Sequence, residues 1–185
     1  MRVIPGICKG RPLKAVPGMT TRPTTDKVKE SLFNIVGPYF DGGSVLDLFS
    51  GSGSLGLEAL SRGMDQGTFV DKDQKAIQTI KANISACKMD NQSEVHRNDA
   101  LRSLKALGKR NAQFDLIFMD PPYKIAQIIP TLIEEIEKAD LLAQDGMIIC
   151  EHGEELSLPE QIGHFTKFRF EKYGITAISF FEKQD

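Results

Sequence analysis

Leu46-Asp47-Leu48-Phe49-Ser50-Gly51-Ser52-Gly53-Ser54-Leu55-Gly56-Leu57-Glu58-Ala59-Leu60 decides how this chain folds. Val45 to Phe49 is apolar except for Asp47 and reads as a buried strand. Leu55 to Leu60 reads as a helix, and a glycine-rich turn joins the two. Gly51, Gly53 and Gly56 satisfy G-x-G-x-x-G, and Asp71 stands about 20 residues beyond, at the end of the next strand. That spacing suits a cofactor containing a nucleoside. The glycines let the backbone come close, and the acid accepts hydrogen bonds from a ribose diol.

Outward from this turn the pattern alternates. Gly67 to Asp71 is a second strand, followed by a helix from Ala76 to Cys87 with Ile77, Ile80 and Ile84 on one face. Glu94 to His96 is a weaker strand before a helix over Leu101 to Leu107. Phe114 to Met119 and Met147 to Cys150 are two more strands, separated by a helix over Ile128 to Ile136. Strands alternating with helices imply a parallel sheet covered on both faces. Phe165 to Tyr173 and Ile175 to Phe181 meet at Gly174 with no helix between them, which predicts an antiparallel closing hairpin. The fold class is therefore α/β, a mostly parallel seven-stranded sheet with an antiparallel C-terminal hairpin. One domain is expected over 1–185, with residues 1–20 a basic arm or hairpin and 21–185 the core. Thr24 or Thr25 caps a helix whose inner face is Val28, Leu32, Ile35, Val36 and Tyr39, ended by Gly42-Gly43.

Of the 185 residues, 41% are hydrophobic and 26% charged, an ordinary composition for a globular chain with one sizeable core. No run is apolar enough to span a bilayer and no signal peptide opens the chain, so a cytoplasmic protein with no membrane association is expected. Cys8, Cys87 and Cys150 are scattered without metal-ligand spacing, as are His96, His152 and His164. Reduced thiols and no metal are expected. The net charge of −2 is unevenly spread. Arg2, Lys9, Arg11, Lys14, Arg22, Lys27 and Lys29 face only Asp26 and Glu30 in the first forty residues, which suggests a basic face for a polyanion. A solvated lysine-rich surface is the plainer alternative.

Three acids sharpen the reading. Asp47 lies within the first strand, where a carboxylate repels a pyrophosphate but suits the ammonium of an amino-acid tail. Asp99, after the third strand, can accept from an adenine amino group. Capping or turn roles for Asp47 and Asp99 stay open. An adenosine that carries an amino acid is S-adenosylmethionine (AdoMet). Asp120-Pro121-Pro122-Tyr123 then follows the fourth strand. An exocyclic amino group is a poor nucleophile, and accepting its N–H bonds at Asp120 and the Pro121 carbonyl frees the lone pair and stabilises the developing charge. The prolines present carbonyls without an N–H to satisfy. Tyr123 can stack on a base, contributing about 1–3 kcal/mol.

Taken together, Leu46 to Gly53 and Asp120 to Tyr123 resemble the class I, Rossmann-like AdoMet-dependent amino-methyltransferases. Arg22 to Asn34 joined to Gly53 to Gly63 resembles, more narrowly, the RsmD family, over essentially the whole chain. Ser54 stands where that family often has alanine or glycine, and Pro5 where it has a small residue. The resemblance implies methylation of 16S ribosomal RNA at the (guanine(966)-N2) site, with 16S rRNA or the small ribosomal subunit as partner and a monomeric enzyme. It implies Asp47, Phe49, Ser50, Gly51, Ser52, Gly53, Asp71, Lys72, Asp99 and Ala100 around AdoMet. Asp120, Pro121, Pro122 and Tyr123 would hold the amino group, and Arg11, Lys14, Arg22, Pro23, Thr24 and Thr25 would border the RNA. The alternative is a DNA or RNA adenine or cytosine amino-methyltransferase, for which the chain leaves no stretch as a target-recognition domain. A non-catalytic nucleotide-binding module would leave Asp120 unused, and nothing near the sheet suits hydride transfer.

Overall fold

The computed structural model describes residues 1–19 and 24–184. In chain order the elements are α1 (Asp26–Val36), β1 (Ser44–Asp47), α2 (Ser54–Ser61), β2 (Gln66–Asp71), α3 (Gln74–Ala86), β3 (Ser93–Arg97), α4 (Ala100–Lys109), β4 (Phe114–Met119), α5 (Ile129–Lys138), β5 (Leu142–Gly153), β6 (Gln161–Ile162), β7 (Phe165–Tyr173) and β8 (Thr176–Lys183). They build one sheet in the order β3-β2-β1-β4-β5-β8-β7-β6. Neighbours among β1 to β5 pair parallel, whereas β8 runs antiparallel to both β5 and β7. The expected closing hairpin is thus present. It folds back so that its second strand, not its first, meets the parallel sheet.

The sheet has an eighth strand beyond the seven expected. The addition is β6, whose two residues pair with Phe165 and Thr166. Two residues between Pro159 and Gly163 carry no alternation to read. The chain steps from β1 out to β3 and then returns with β4 on β1's other side. The β1–β4 boundary is therefore the switch point at which open α/β sheets bind ligands.

Alternate residues along each strand enter different cores. Val45, Leu116, Phe118, Ile149 and Phe180 pack with α1, α2 and α3. Leu46, Ile117, Met119, Ile148 and Phe181 pack with α4 and α5.

Helix α1 stops earlier than the spacing predicts. Gly37, at φ 138°, caps it through its N–H to the Phe33 carbonyl, and Tyr39 lies outside the helix and exposed. Lys29 also departs from expectation. Counted among the basic face from its sequence, it is 1% exposed, with Nζ 3.1 Å from Glu58 Oε2. Arg62 Nε holds the other Glu58 oxygen at 3.2 Å while its guanidinium lies over the Phe33 ring. Lys29 Nζ also donates to the Arg2 carbonyl and to Ser54 Oγ, so this buried cluster ties the amino-terminal segment to α1 and α2.

The amino-terminal segment, expected as an arm or a hairpin, doubles back on itself, with Arg2 bridging Pro12 and Val3 N–H donating to the Arg11 carbonyl. Val3, Cys8 and Leu13 are buried against the α1–α3 side. The cysteines are not all scattered in space. Cys8 Sγ lies 3.9 Å from the Cys87 carbonyl, both thiols are free, and burial pushes the Cys87 thiol up to about 12.

Candidate active site

Three carboxylates meet at the carboxyl ends of the central strands. Asp47 ends β1, Asp120 follows β4, and Glu151 lies near the end of β5. The register pairs Asp47 with Phe118, and Met119 with Cys150, so Asp120 and Glu151 come next, side by side. The period of two sets both on the face of Phe118 and Ile149, as it sets Asp47 on the face of Val45. That is the side covered by α1, α2 and α3.

Crowding like charges in a buried place shapes their titration. Burial pushes Asp120 well above the usual carboxylate range, and repulsion from Glu151 and then Asp47 adds to it. Burial likewise raises Glu151, against the lowering effect of a hydrogen bond from the Thr24 hydroxyl. Asp47 is pushed up to about 7 by burial, partly offset by the Gly56 N–H and reinforced by Asp71. Among the described residues these carboxylates have few donors, and they crowd a strand-end crevice, the pattern that marks functional sites.

The glycine turn sits beside them. Asp47 Oδ2 accepts from Gly56 N–H at 3.0 Å, in the first turn of α2, whose N-cap Gly53 has no side chain to do so. Asp47 therefore does capping work while lying in the crevice. Asp71 Oδ2 accepts from Gly51 N–H at 2.9 Å, and Oδ1 from Asp73 N–H. Gly51 has φ 55°, and among the described residues a Cβ built on it would meet nothing within 4 Å, so the turn's outer side is open to them. A Cβ on Gly56 would come within 2.4 Å of the Phe69 ring, which makes the third glycine a packing requirement.

The other expected cofactor residues divide. Ser50 is buried and its hydroxyl is engaged, donating to the Asp47 carbonyl at 2.6 Å and accepting from Val70 N–H. Ser52 and Phe49 are half-buried, and Lys72 is exposed. Asp99 is the N-cap of α4, Oδ1 accepting from Arg102 N–H at 3.2 Å, and Ala100 is buried behind it. The capping alternative for Asp99 is thus realised.

Pro121 is buried and Pro122 exposed, and Tyr123 opens a six-residue 3-10 helix, Tyr123–Ile128, leading to α5. The Tyr123 ring is 41% exposed, with its hydroxyl 2.8 Å from Thr176 Oγ1 at the start of β8. It overhangs the end of β5, where Thr176 pairs with Gly153. Among the residues expected to meet RNA, Arg11 and Lys14 are exposed on the amino-terminal hairpin. Lys14 has its backbone pinned at both N–H and carbonyl by Asn83. Thr25 caps α1 through Val28 N–H, and Thr24 reaches Glu151. Arg22 and Pro23 lie outside the described residues.

Glu151 and Thr176 are site residues that sequence reasoning missed. Glu151 had a signal: it is the first charge after the apolar run Met147 to Cys150, at the strand end that mirrors Asp120. Among the described residues no group of His, Cys, Asp and Glu could hold a metal ion, and no helix is long and apolar enough to cross a membrane.

The switch-point crevice, the glycine turn and the acid-tipped β4 define the Rossmann-like methyltransferase class. A solved structure described as a methyltransferase, YhhF of Escherichia coli, superposes with a TM-score of 0.84 at 32% identity, covering 100% of this chain and 98% of that one. Residues 1–182 match the family model described as Conserved hypothetical protein 95, and the chain belongs to that family. The Bacillus subtilis protein YlbH is 53% identical over 184 residues, covering all of both chains. Ribosomal RNA small subunit methyltransferase D of Escherichia coli is 31% identical over 184 residues, covering all of this chain and 90% of that protein. The resemblance to the RsmD family is borne out.

Proposed function

We propose that this protein is an AdoMet-dependent methyltransferase that modifies the N2 amino group of a guanine in 16S ribosomal RNA of the small subunit. Its site is the crevice over β1, β4 and β5, it acts as a monomer in the cytoplasm, and residues 1–185 work as one domain. The observation that carries the reading is Asp120 at the switch point, with Glu151 beside it on β5 and the open glycine turn next to it. The activity named for the Escherichia coli relative supplies the substrate class.

The residues fit the cofactor. The open side of Gly51 admits a ligand against the backbone, Asp71 ends β2 where a ribose diol belongs, and Asp47 is a buried carboxylate in want of a cation. When bound, AdoMet supplies a methyl group activated by its sulfonium. Ser50 keeps the turn in shape, and Asp47 meets the ammonium of the amino-acid tail. Asp99, already held as a cap, keeps its second oxygen for an adenine amino group.

On the acceptor side, Asp120 and the Pro121 carbonyl accept the two amino N–H bonds, turning the nitrogen lone pair outward. Holding reactants in this way contributes about 7–11 kcal/mol to lowering a barrier. The amino nitrogen gains the methyl and gives up one proton, which the Asp120 carboxylate, its affinity for protons raised by burial, receives. The exposed Tyr123 ring, its hydroxyl steadied by Thr176, stacks on the base and offsets the few kcal/mol needed to extrude it. Arg11, Lys14, Arg22, Pro23, Thr24 and Thr25 border the RNA.

Asp120→Ala tests the assignment. Methyl transfer should vanish while AdoMet affinity stays nearly intact. Equal loss of both would move Asp120 into the cofactor site.

A further inference from the structure

We infer that Glu151 sets the specificity for guanine, accepting the ring N1–H of the target base beside the amino group held at Asp120. This rests on the functional reading above and assigns its base preference to one residue. Guanine presents two neighbouring donors on its pairing edge, N1–H and the N2 amino group. Adenine and cytosine each present an amino group beside a bare ring nitrogen, an acceptor. An ionised carboxylate only accepts. A second carboxylate next to Asp120 therefore rewards a second donor and opposes a lone pair.

The geometry places Glu151 for that task. It follows Cys150, the partner of Met119, so it stands one strand spacing from Asp120, about 4.8 Å, on the same face of the sheet. It is 8% exposed, and the Thr24 hydroxyl holds Oε2 at 3.0 Å, which fixes the carboxylate and leaves Oε1 for a further donor. Tyr123, bonded to Thr176 across the end of β5, closes the other side. Two acids side by side, Glu151 buried and Asp120 half-buried, oppose folding, and partial or full burial pushes both up. Guanine brings two further donors to a pair that, among the described residues, has only the Thr24 hydroxyl.

RNA with 2-aminopurine at the target position tests this. It keeps the 2-amino group and replaces N1–H by a bare nitrogen. The wild-type enzyme should prefer guanine RNA by about 100-fold or more in kcat/KM, because a buried polar site left unpaired discriminates strongly. Glu151→Gln retains an oxygen for Thr24 and offers an NH₂ to the bare nitrogen. It should shrink the preference to about 10-fold or less, with the loss on guanine RNA appearing in KM. Without cofactor, 2-aminopurine fluorescence should rise more on binding Glu151→Gln than on binding wild type. Glu151→Asp, which keeps the charge, should keep the preference at a lower rate. A wild-type enzyme indifferent to the two bases overturns the inference, as does a Glu151→Gln variant that loses both activities in equal proportion. Transfer to adenine RNA and not to guanine RNA overturns the functional reading itself.

Discussion

Thr24 Oγ1 donates a 3.0 Å hydrogen bond to Glu151 Oε2, joining the segment before α1 to the end of β5 across 127 residues of sequence. The block Thr24-Thr25-Asp26 therefore has three separate tasks. Thr24 orients an acid of the crevice, Thr25 caps α1, and Asp26 pairs with Arg2 at the surface. Thr24→Val should cost about 1–3 kcal/mol in urea unfolding, because it strips a donor from a buried carboxylate, and should lower methyl transfer. Thr24→Ser should restore both.

Cofactor binding should depend on pH through Asp47. Its pKa of about 7 means that the carboxyl is largely neutral in mild acid and cannot attract an ammonium group. AdoMet affinity measured by calorimetry should rise as pH increases through about 7, and Asp47→Asn should flatten that rise.

The same acids set the stability of the unliganded protein. Asp47, Asp120 and Glu151 are all raised in the folded state, so their contribution is complete below the unfolded values of 3.8 and 4.5 and is lost as pH rises through the folded ones, about 7 for Asp47. Glu94, Glu137 and Asp73 are lowered and act at the acidic end, outside that window, whereas His152, lowered by burial, adds stability as pH rises toward its unfolded 6.5 and offsets part of the fall there. Urea unfolding should show stability falling between about pH 5 and pH 8. Asp120→Asn should recover about 1–3 kcal/mol at the upper end while abolishing methyl transfer.

Glu58 should be a costly position to change in the interior. Its carboxylate is fully buried between Lys29 and Arg62, and removing it strands two buried cations. Glu58→Ala should lose about 3–5 kcal/mol of stability, read as a drop in Tm.

Arg11 and Lys14 are assigned the electrostatic part of RNA binding. Reversing both charges should weaken RNA binding and reduce the slope of log affinity against log salt by about one for each phosphate no longer neutralised. An unchanged slope would return the hairpin to a merely solvated surface.

The sheet was legible because its strands are short apolar runs broken by glycine and acid, as at Val45 to Phe49 and Phe114 to Met119. What escaped were features carried by tertiary packing. The length of β5, Leu142 to Gly153, includes polar Gln144, Asp145, Glu151 and His152, which broke the apolar pattern. His152 is accommodated by hydrogen bonds to the Gly153 carbonyl and Ser179 Oγ. Lys29 looked like a solvent lysine, because its partner Glu58 lies in another helix. Glu151 went unseen for a similar reason: its importance comes from standing next to Asp120, and strand adjacency is a property of the fold. Asp47 and Asp71, by contrast, were visible because their places are fixed by spacing from the glycine turn.

The central claim is best tested by the product. Small ribosomal subunits and their isolated rRNA are incubated with the protein and methyl-labelled AdoMet, and the rRNA is digested for nucleoside mass analysis. Label is predicted in N2-methylguanosine alone, and none with Asp120→Ala. Label in a methylated adenosine or cytidine, or no label in either RNA while AdoMet binds, would contradict the claim.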